Sequence, residues 1–191
     1  PVSSIGWDGD RFAVRTSVGA IRARAVVVAT GAHQRPFVPP SAASIPSRVF
    51  QVHADGYWEP DHLPPGDVLV VGGGQSGSQI ALELASAGRS VFLSAGRCAW
   101  YPRRLYGRDI LWWRDQMGEF ESEVDALPDT AAARVACTPL IRWGADDLSL
   151  RVLADAGVTL LGRFSGASGE VASFAPDLSD SISSGDQAAR G

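Results

Sequence analysis

The feature that most constrains the fold is a strand, a glycine turn and a helix that follow one another in residues 68–97, VLVVGGGQSGSQIALELASAGRSVFLSAGR. The first four residues are aliphatic, which is typical of a strand buried on both faces of a parallel sheet. Gly72, Gly74 and Gly77 follow at G-x-G-x-x-G spacing, and a helical apolar pattern then runs to Gly88. A second apolar strand comes next. This order predicts a Rossmann-like βαβ unit and therefore an α/β fold.

The glycine turn carries the first functional prediction. In such a unit the first glycine permits the tight turn, the second lets the backbone approach a pyrophosphate, and the third lets the helix pack on the strand. Main-chain N–H groups and the positive end of the helix dipole meet at the same point. The alternative is a glycine-rich turn that binds nothing, but the flanking strand and helix favour the nucleotide. The predicted cofactor-binding residues of the turn are Gly72, Gly73, Gly74, Gln75, Ser76 and Gly77.

The end of the second strand predicts which dinucleotide binds. Many such units carry Asp or Glu at this position, which bonds the ribose 2′-OH and repels a 2′-phosphate. This chain has Ser94 instead, followed by Arg97 and by the pair Arg103 and Arg104. Guanidinium groups suit phosphate oxygens because their donors form a planar fork. We therefore predict that Ser94 and the three arginines bind the 2′-phosphate of NADPH, with solvated surface arginines as the alternative.

Composition argues against several other classes of function. The 191 residues carry a net charge of −4, and an acidic chain does not favour nucleic-acid binding. No apolar run is long enough to span a bilayer and no signal peptide is recognisable, so we expect a cytoplasmic protein without a membrane partner. Cys98 and Cys137 lack C-x-x-C spacing and are expected to be reduced thiols. The histidines lack metal-ligand spacing, so no metal site is predicted.

The segments around the βαβ unit have weaker signals. Residues 2–28 alternate short apolar runs with turn dipeptides, which predicts a β-meander. Residues 37–66 are rich in proline and predict a linker. Apolar spacing over residues 110–117 and in LSLRVLADAG predicts two helices, and a strand pair is expected around residues 166–169. The small polar residues of the tail are expected to fray.

Four parts of the chain together resemble a known family. They are RAVVVATGAHQRPFVPP, the pair His53 and Tyr57, the segment 68–97, and YPRRLYGRDILWW. The most specific of these signals are the A-T-G segment at Ala29–Gly31 and the glycine turn. The chain resembles the flavin-containing monooxygenase-like group of flavoproteins, which have two dinucleotide-binding folds, and it looks most similar to a bacterial group of FAD- and NADPH-dependent oxidoreductases.

The resemblance implies a divided architecture. Residues 1–36 would be a β-meander and an A-T-G strand of an FAD domain, 37–66 a linker, 67–165 the NADP(H)-binding domain, and 166–191 the start of a partly disordered return to the FAD domain. Thr30 and Gly31 would lie close to the flavin. No glycine-rich turn for FAD precedes the meander, so the FAD site is expected to be incomplete and the chain to be a central fragment.

The resemblance also implies an NADPH-dependent flavoprotein oxidoreductase, with monooxygenase chemistry as the leading hypothesis. NADPH would deliver hydride to FAD, and a flavin hydroperoxide formed with O2 would oxygenate a small organic substrate. Because the cofactors perform this chemistry, no catalytic side chain is predicted. Two alternatives stay open: an NAD(P)H-dependent flavin reductase without oxygenation, and a truncated NADP-binding module that is inactive alone. A homodimer is also possible.

Overall fold

The structure is a computed structural model, and it describes residues 1–30, 36–121, 123 and 147–188. The chain divides into two compact units, Pro1–Phe37 and Val38–Gly191. The segment with the predicted meander lies in the first unit, and the predicted βαβ segment lies in the second.

The first unit is a three-stranded antiparallel sheet. Its strands are β1 (Val2–Trp7), β2 (Phe12–Thr16) and β3 (Gly19–Ala23), paired in the order β1-β2-β3. Gly9 has a φ of 103°, so the turn between the first two strands depends on a glycine. The rings of Trp7 and Phe12 meet edge to face, with centroids 4.9 Å apart. The three strands lie within the segment for which the sequence predicts a meander.

The predicted A-T-G strand does not form. Residues 25–29 have no regular secondary structure, and Val27 and Val28 are 88% and 72% exposed. A strand requires a partner for its backbone N–H and C=O groups, and in the described part of this unit β1, β2 and β3 pair only with one another. The run has strand-like composition but no partner strand, so the prediction of a strand at this position is wrong for this structure.

The second unit contains an α/β domain. Its strands are β4 (Val68–Val71), β5 (Val91–Ser94), β6 (Arg104–Leu105), β7 (Arg108–Asp109), β8 (Thr159–Leu161), β9 (Phe164–Ser168) and β10 (Val171–Phe174). Its helices are α1 (Gln75–Ser86), α2 (Ile110–Gln116), α3 (Leu150–Asp155) and α4 (Leu178–Ala188). A parallel sheet has the order β4-β5-β8, and α1 connects its first two strands. The prediction of a Rossmann-like α/β fold with a parallel sheet is confirmed.

The core lies between this sheet and two of the helices. Leu84 of α1, Leu93 of β5 and Leu153 of α3 are fully buried. α1 buries Ser78, Ala81 and Leu84, which recur at helical spacing and therefore share one face. Burial of each leucine contributes about 1.5–3 kcal/mol. This packing holds α1 against the sheet and so fixes the turn at which the helix begins.

The predicted linker is anchored to the nucleotide-binding domain. It contains three 3₁₀ helices, Pro40–Ser44, Ala54–Gly56 and Pro60–His62. Tyr57 Oη donates to a carboxylate oxygen of Glu83 on α1 at 3.0 Å, and burial together with this bond raises the pKa of Tyr57 to about 12. The Arg89 guanidinium donates to the carbonyl oxygens of Pro64 and Gly66 at 2.7 Å each. The second half of the linker is thereby tied to α1 and to the turn that follows it.

The carboxyl-terminal residues depart from the prediction of a frayed tail. Residues 178–188 form α4, so the expected disorder is wrong for them, and residues 189–191 lie outside the described part of the chain. Asp186 of α4 accepts a hydrogen bond from Trp100 Nε1 at 3.3 Å and pairs with Arg151 at 2.6 Å. Ser181 and Gly185 are buried on the same helix. Small residues give little hydrophobic signal in a sequence, yet they let a helix approach the core closely.

Candidate dinucleotide-binding site

The glycine turn lies at the carboxyl edge of the parallel sheet. It links β4 to α1, and the Gly72 N–H donates to the carbonyl oxygen of Ser94 on β5 at 2.9 Å. Gly72 has a φ of 116°, a conformation that L side chains rarely adopt. Gly74 is the N-cap residue of α1 and supplies no capping side chain. A bound phosphate fits this position, because anions bind at helix N-termini where main-chain N–H groups point outward.

Close packing explains two further glycines of the turn. A Cβ atom at Gly77 would overlap the carbonyl oxygen of Gly72, and one at Gly73 would lie 2.6 Å from the Cβ of Ala95. Gly74 has a φ of −73°, which any residue can adopt. The turn and the first turn of α1 therefore form a tight main-chain cradle. This arrangement fits a pyrophosphate, which is held by backbone groups rather than by side chains.

Ser94 lies at the end of β5 as predicted, but its side chain has another role. The residue is 2% exposed. Its hydroxyl donates to the Gly162 carbonyl oxygen at 2.9 Å and accepts from the Phe164 N–H at 2.8 Å. A contact with a 2′-phosphate would have to replace these bonds. The structure therefore does not support the predicted phosphate contact, and it makes Ser94 the residue that joins β5 to the β8–β9 connection.

Replacing Ser94 with alanine is expected to lower the free energy of unfolding by about 1–3 kcal/mol, because two main-chain groups would lose their partner away from water. Ser86→Ala is the matched control, since the Ser86 hydroxyl makes one hydrogen bond, to the Leu82 carbonyl oxygen, at an exposed position. We expect a smaller loss from the control. Urea unfolding of both variants measures the difference. If Ser94→Ala lost no more stability than Ser86→Ala, the joining role of Ser94 would be contradicted.

The structure separates the three predicted arginines. Arg97 is exposed three residues after β5 and makes no ion pair with a described residue. Arg103 pairs with Asp109 at 2.6 Å, and its side chain is 16% exposed. Arg104 is exposed in the short β6–β7 hairpin. Arg97 is thus the arginine best placed at the edge of the sheet, whereas Arg103 already holds the hairpin and the phosphate contact of Arg104 stays a prediction.

Sequence reasoning missed Arg163, which follows β8 at the same edge of the sheet. A Cβ atom at Gly96 would lie 3.1 Å from both Cγ and Cδ of Arg163, so the stem of this arginine rests on the backbone next to Arg97. Its Nε donates to an Asp177 carboxylate oxygen at 2.5 Å, and the bond lowers the pKa of Asp177 below its usual value. A cation two residues after the third parallel strand is the signal that could have identified this residue.

The other predicted site residues lie in two places. Gln75 and Ser76 are in the first turn of α1, beside the cradle, with Gln75 half-buried and Ser76 exposed. Thr30 is exposed at the end of a described segment of the first unit, and Gly31 lies outside the described residues. The flavin contact implied for Thr30 and Gly31 stays a prediction.

Cys98 differs from its predicted state. It is buried and disulfide-bonded, so the expectation of a reduced thiol is wrong at this position, and Cys137 lies outside the described residues. In the part of the chain that the structure describes, no group of three or more His, Cys, Asp or Glu side chains could hold a metal ion. Over the same residues, no helix has the length and apolar character needed to cross a bilayer.

A parallel sheet whose first strand opens into a glycine cradle at a helix N-terminus is the arrangement of the Rossmann-like class of dinucleotide-binding folds. A family model described as pyridine nucleotide-disulphide oxidoreductase matches residues 1–105. The chain belongs to this family. The family implies flavin and nicotinamide cofactors in general terms, and the matches with CzcO-like oxidoreductases and flavin-containing monooxygenases confirm the resemblance to flavin-containing monooxygenase-like flavoproteins.

Curated relatives match part of the chain. An uncharacterized CzcO-like oxidoreductase of Geobacillus kaustophilus is 44% identical over 118 residues, which are 61% of this chain and 34% of the relative. The CzcO oxidoreductase of Bacillus subtilis is 32% identical over 107 residues, 56% of this chain and 31% of the relative. Flavin-containing monooxygenase 1 of Homo sapiens is 30% identical over 124 residues, 62% of this chain and 21% of the relative. The matches span about a third or less of each relative's length.

Proposed function

We propose that the protein is an NADPH-dependent flavoprotein oxidoreductase of monooxygenase type. The observation that carries the proposal is the glycine cradle, in which Gly77 lies so close to the Gly72 carbonyl oxygen that no Cβ atom fits, at the point where α1 begins. Residues 72–77 would hold the pyrophosphate, and Arg97 would bind the 2′-phosphate. Relatives named oxidoreductase and flavin-containing monooxygenase support the flavin-dependent part of the proposal.

The proposed reaction converts NADPH, a proton, O2 and a small organic substrate into NADP+, water and the oxygenated substrate. The two electrons of the hydride reduce one oxygen atom to water, and the other oxygen atom enters the substrate. The flavin, when bound, supplies the acceptance of hydride and the activation of O2. The residues of this chain bind and orient the nicotinamide nucleotide: the cradle offsets the pyrophosphate charge with main-chain dipoles, and Arg97 offsets the charge of the 2′-phosphate.

Replacing Gly74 with alanine is expected to weaken NADPH binding by roughly tenfold or more, a loss of at least about 1.4 kcal/mol, while stability is kept. The φ of −73° accommodates an alanine, but its methyl group would stand where the pyrophosphate approaches the backbone most closely. Calorimetric titration with NADPH and melting temperatures of wild type and variant measure both effects. Unchanged affinity would mean that this turn holds no phosphate.

Product analysis separates an oxygenase from a simple flavin reductase. In the natural protein we expect O2 uptake, NADPH oxidation and oxygenated product in equal amounts. Candidate substrates are small soft nucleophiles and carbonyl compounds. Hydrogen peroxide in place of an oxygenated product with every substrate would contradict the oxygenase step and favour an NAD(P)H-dependent flavin reductase.

A further inference from the structure

We propose that Arg163, held by Asp177, is the platform on which the adenine ring of the nicotinamide nucleotide stacks. The inference rests on the proposed function, because it requires a dinucleotide in the glycine cradle. It concerns the connection after β8, to which the proposed function assigns no part of the nucleotide.

The order of the strands locates the adenosine end of the nucleotide. β4, β5 and β8 are parallel, and their last residues, Val71, Ser94 and Leu161, are register partners across the sheet. The pyrophosphate belongs at the turn after the first strand, and the ribose belongs beside the end of the second. The base lies beyond the ribose, so it is expected at the connection after the third strand, where Gly162 and Arg163 follow β8.

Arg163 is held in place before any ligand binds. Its main-chain N–H and its Nε donate to the two carboxylate oxygens of Asp177, at 3.0 and 2.5 Å. Its methylene stem rests on Gly96, where a Cβ atom would crowd it at 3.1 Å. Ser94 fixes the connection itself through the two hydrogen bonds described above. The Arg163 side chain is nevertheless 70% exposed, so the guanidinium plane is both fixed and open to a ligand.

The charge of the Arg163–Asp177 pair favours an aromatic ring over a phosphate. Asp177 offsets the charge of Arg163 within one ion pair, whereas Arg97 makes no ion pair with a described residue. A paired guanidinium attracts an anion less strongly but keeps its planar surface, which stacks on aromatic rings. The two arginines therefore have different ligands: Arg97 binds the 2′-phosphate, and Arg163 contacts the adenine that NADPH and NADH share.

Two variants of the 191-residue chain separate stacking from charge. Arg163→Ala removes both the guanidinium plane and its charge, whereas Arg163→Lys removes the plane and keeps the charge. We expect each variant to bind NADPH and NADH more weakly by the same factor, about tenfold. Arg48→Ala is the matched control, since Arg48 is 61% exposed and pairs with Glu170 at 3.1 Å, and it should bind both nucleotides as wild type does. Fluorescence titration with each nucleotide gives the affinities, and melting temperatures show which variants are folded.

The outcomes distinguish this inference from the proposed function. A loss confined to NADPH in Arg163→Ala and restored in Arg163→Lys would mean that Arg163 binds the phosphate, which overturns the inference. Unchanged binding of both nucleotides in the two variants overturns it as well, while the proposed function stands. If one variant fails to fold, the other decides. A wild-type chain that binds neither nucleotide would overturn the proposed function and the inference together.

Discussion

Replacing Gly77 with alanine is expected to lower the free energy of unfolding by about 3 kcal/mol, because the new methyl group would overlap the carbonyl oxygen of Gly72. That oxygen belongs to the main chain of a tight turn, so no side-chain rotation relieves the overlap. α1 would have to move away from the turn, at the expense of its buried face. At roughly 2–4 °C per kcal/mol for a domain of this size, the melting temperature should fall by about 6–12 °C.

Gly74→Ala is the matched control for this prediction, because it adds the same methyl group three residues earlier at a permissive φ of −73°. It should keep the wild-type melting temperature and lose only affinity for the nucleotide, whereas Gly77→Ala should lose both. Scanning calorimetry of the two variants makes the comparison. A Gly77→Ala protein as stable as wild type would show that α1 and the turn separate without cost, and that the cradle is not rigid.

The second large effect concerns the choice of nucleotide. The wild-type chain is expected to bind NADPH about ten to a hundred times more tightly than NADH, which corresponds to about 1.5–3 kcal/mol for a charge-assisted contact. Arg97 is exposed after β5, and the strand ends in Ser94 rather than in a carboxylate that would repel the phosphate. Because Arg97 is exposed, the preference should shrink as the salt concentration rises. Arg97→Ala should remove most of it.

Arg48→Ala serves as the control for net charge, because it removes the same charge as Arg97→Ala at another site. Arg48 pairs with Glu170, and Glu170 lies in the β9–β10 turn. It should leave the ratio of NADPH to NADH affinity unchanged. Arg104→Ala measures whether the second exposed arginine adds to the contact. Each protein is titrated with both nucleotides at two salt concentrations. Equal affinities of wild type for NADPH and NADH would show that Arg97 is only a surface arginine.

The elements that the sequence predicts well are those whose signals are local. The turn at Gly72 and the helix that follows depend on neighbouring residues, and the positive φ of 116° appears at the glycine that the spacing singles out. α2 and α3 were predicted from apolar spacing, and the structure places a glycine with a positive φ soon after each of them: Gly118 at 72° and Gly157 at 90°. In each case the information lies within a few residues of the feature.

The predictions that failed depend on partners elsewhere in the chain. Residues 25–29 have the composition of a strand, but a strand forms only where another strand accepts its hydrogen bonds. α4 has the composition of a loose tail, but Asp186 binds Trp100 and Arg151, which come from two other segments. The composition of a segment indicates which secondary structure it can form, and contacts with other segments decide whether that structure forms.

By itself the sequence determined that a parallel sheet opens into a dinucleotide-type turn at residues 72–77. Only the tertiary structure decided the role of Ser94, because its partners Gly162 and Phe164 lie 68 and 70 residues further along the chain. The tertiary structure also brought Arg163 onto Gly96, beside Arg97. The physical reason is that a hydrogen bond acts only over about 3 Å, so the partner of a hydroxyl or guanidinium group is set by which segments the fold brings together.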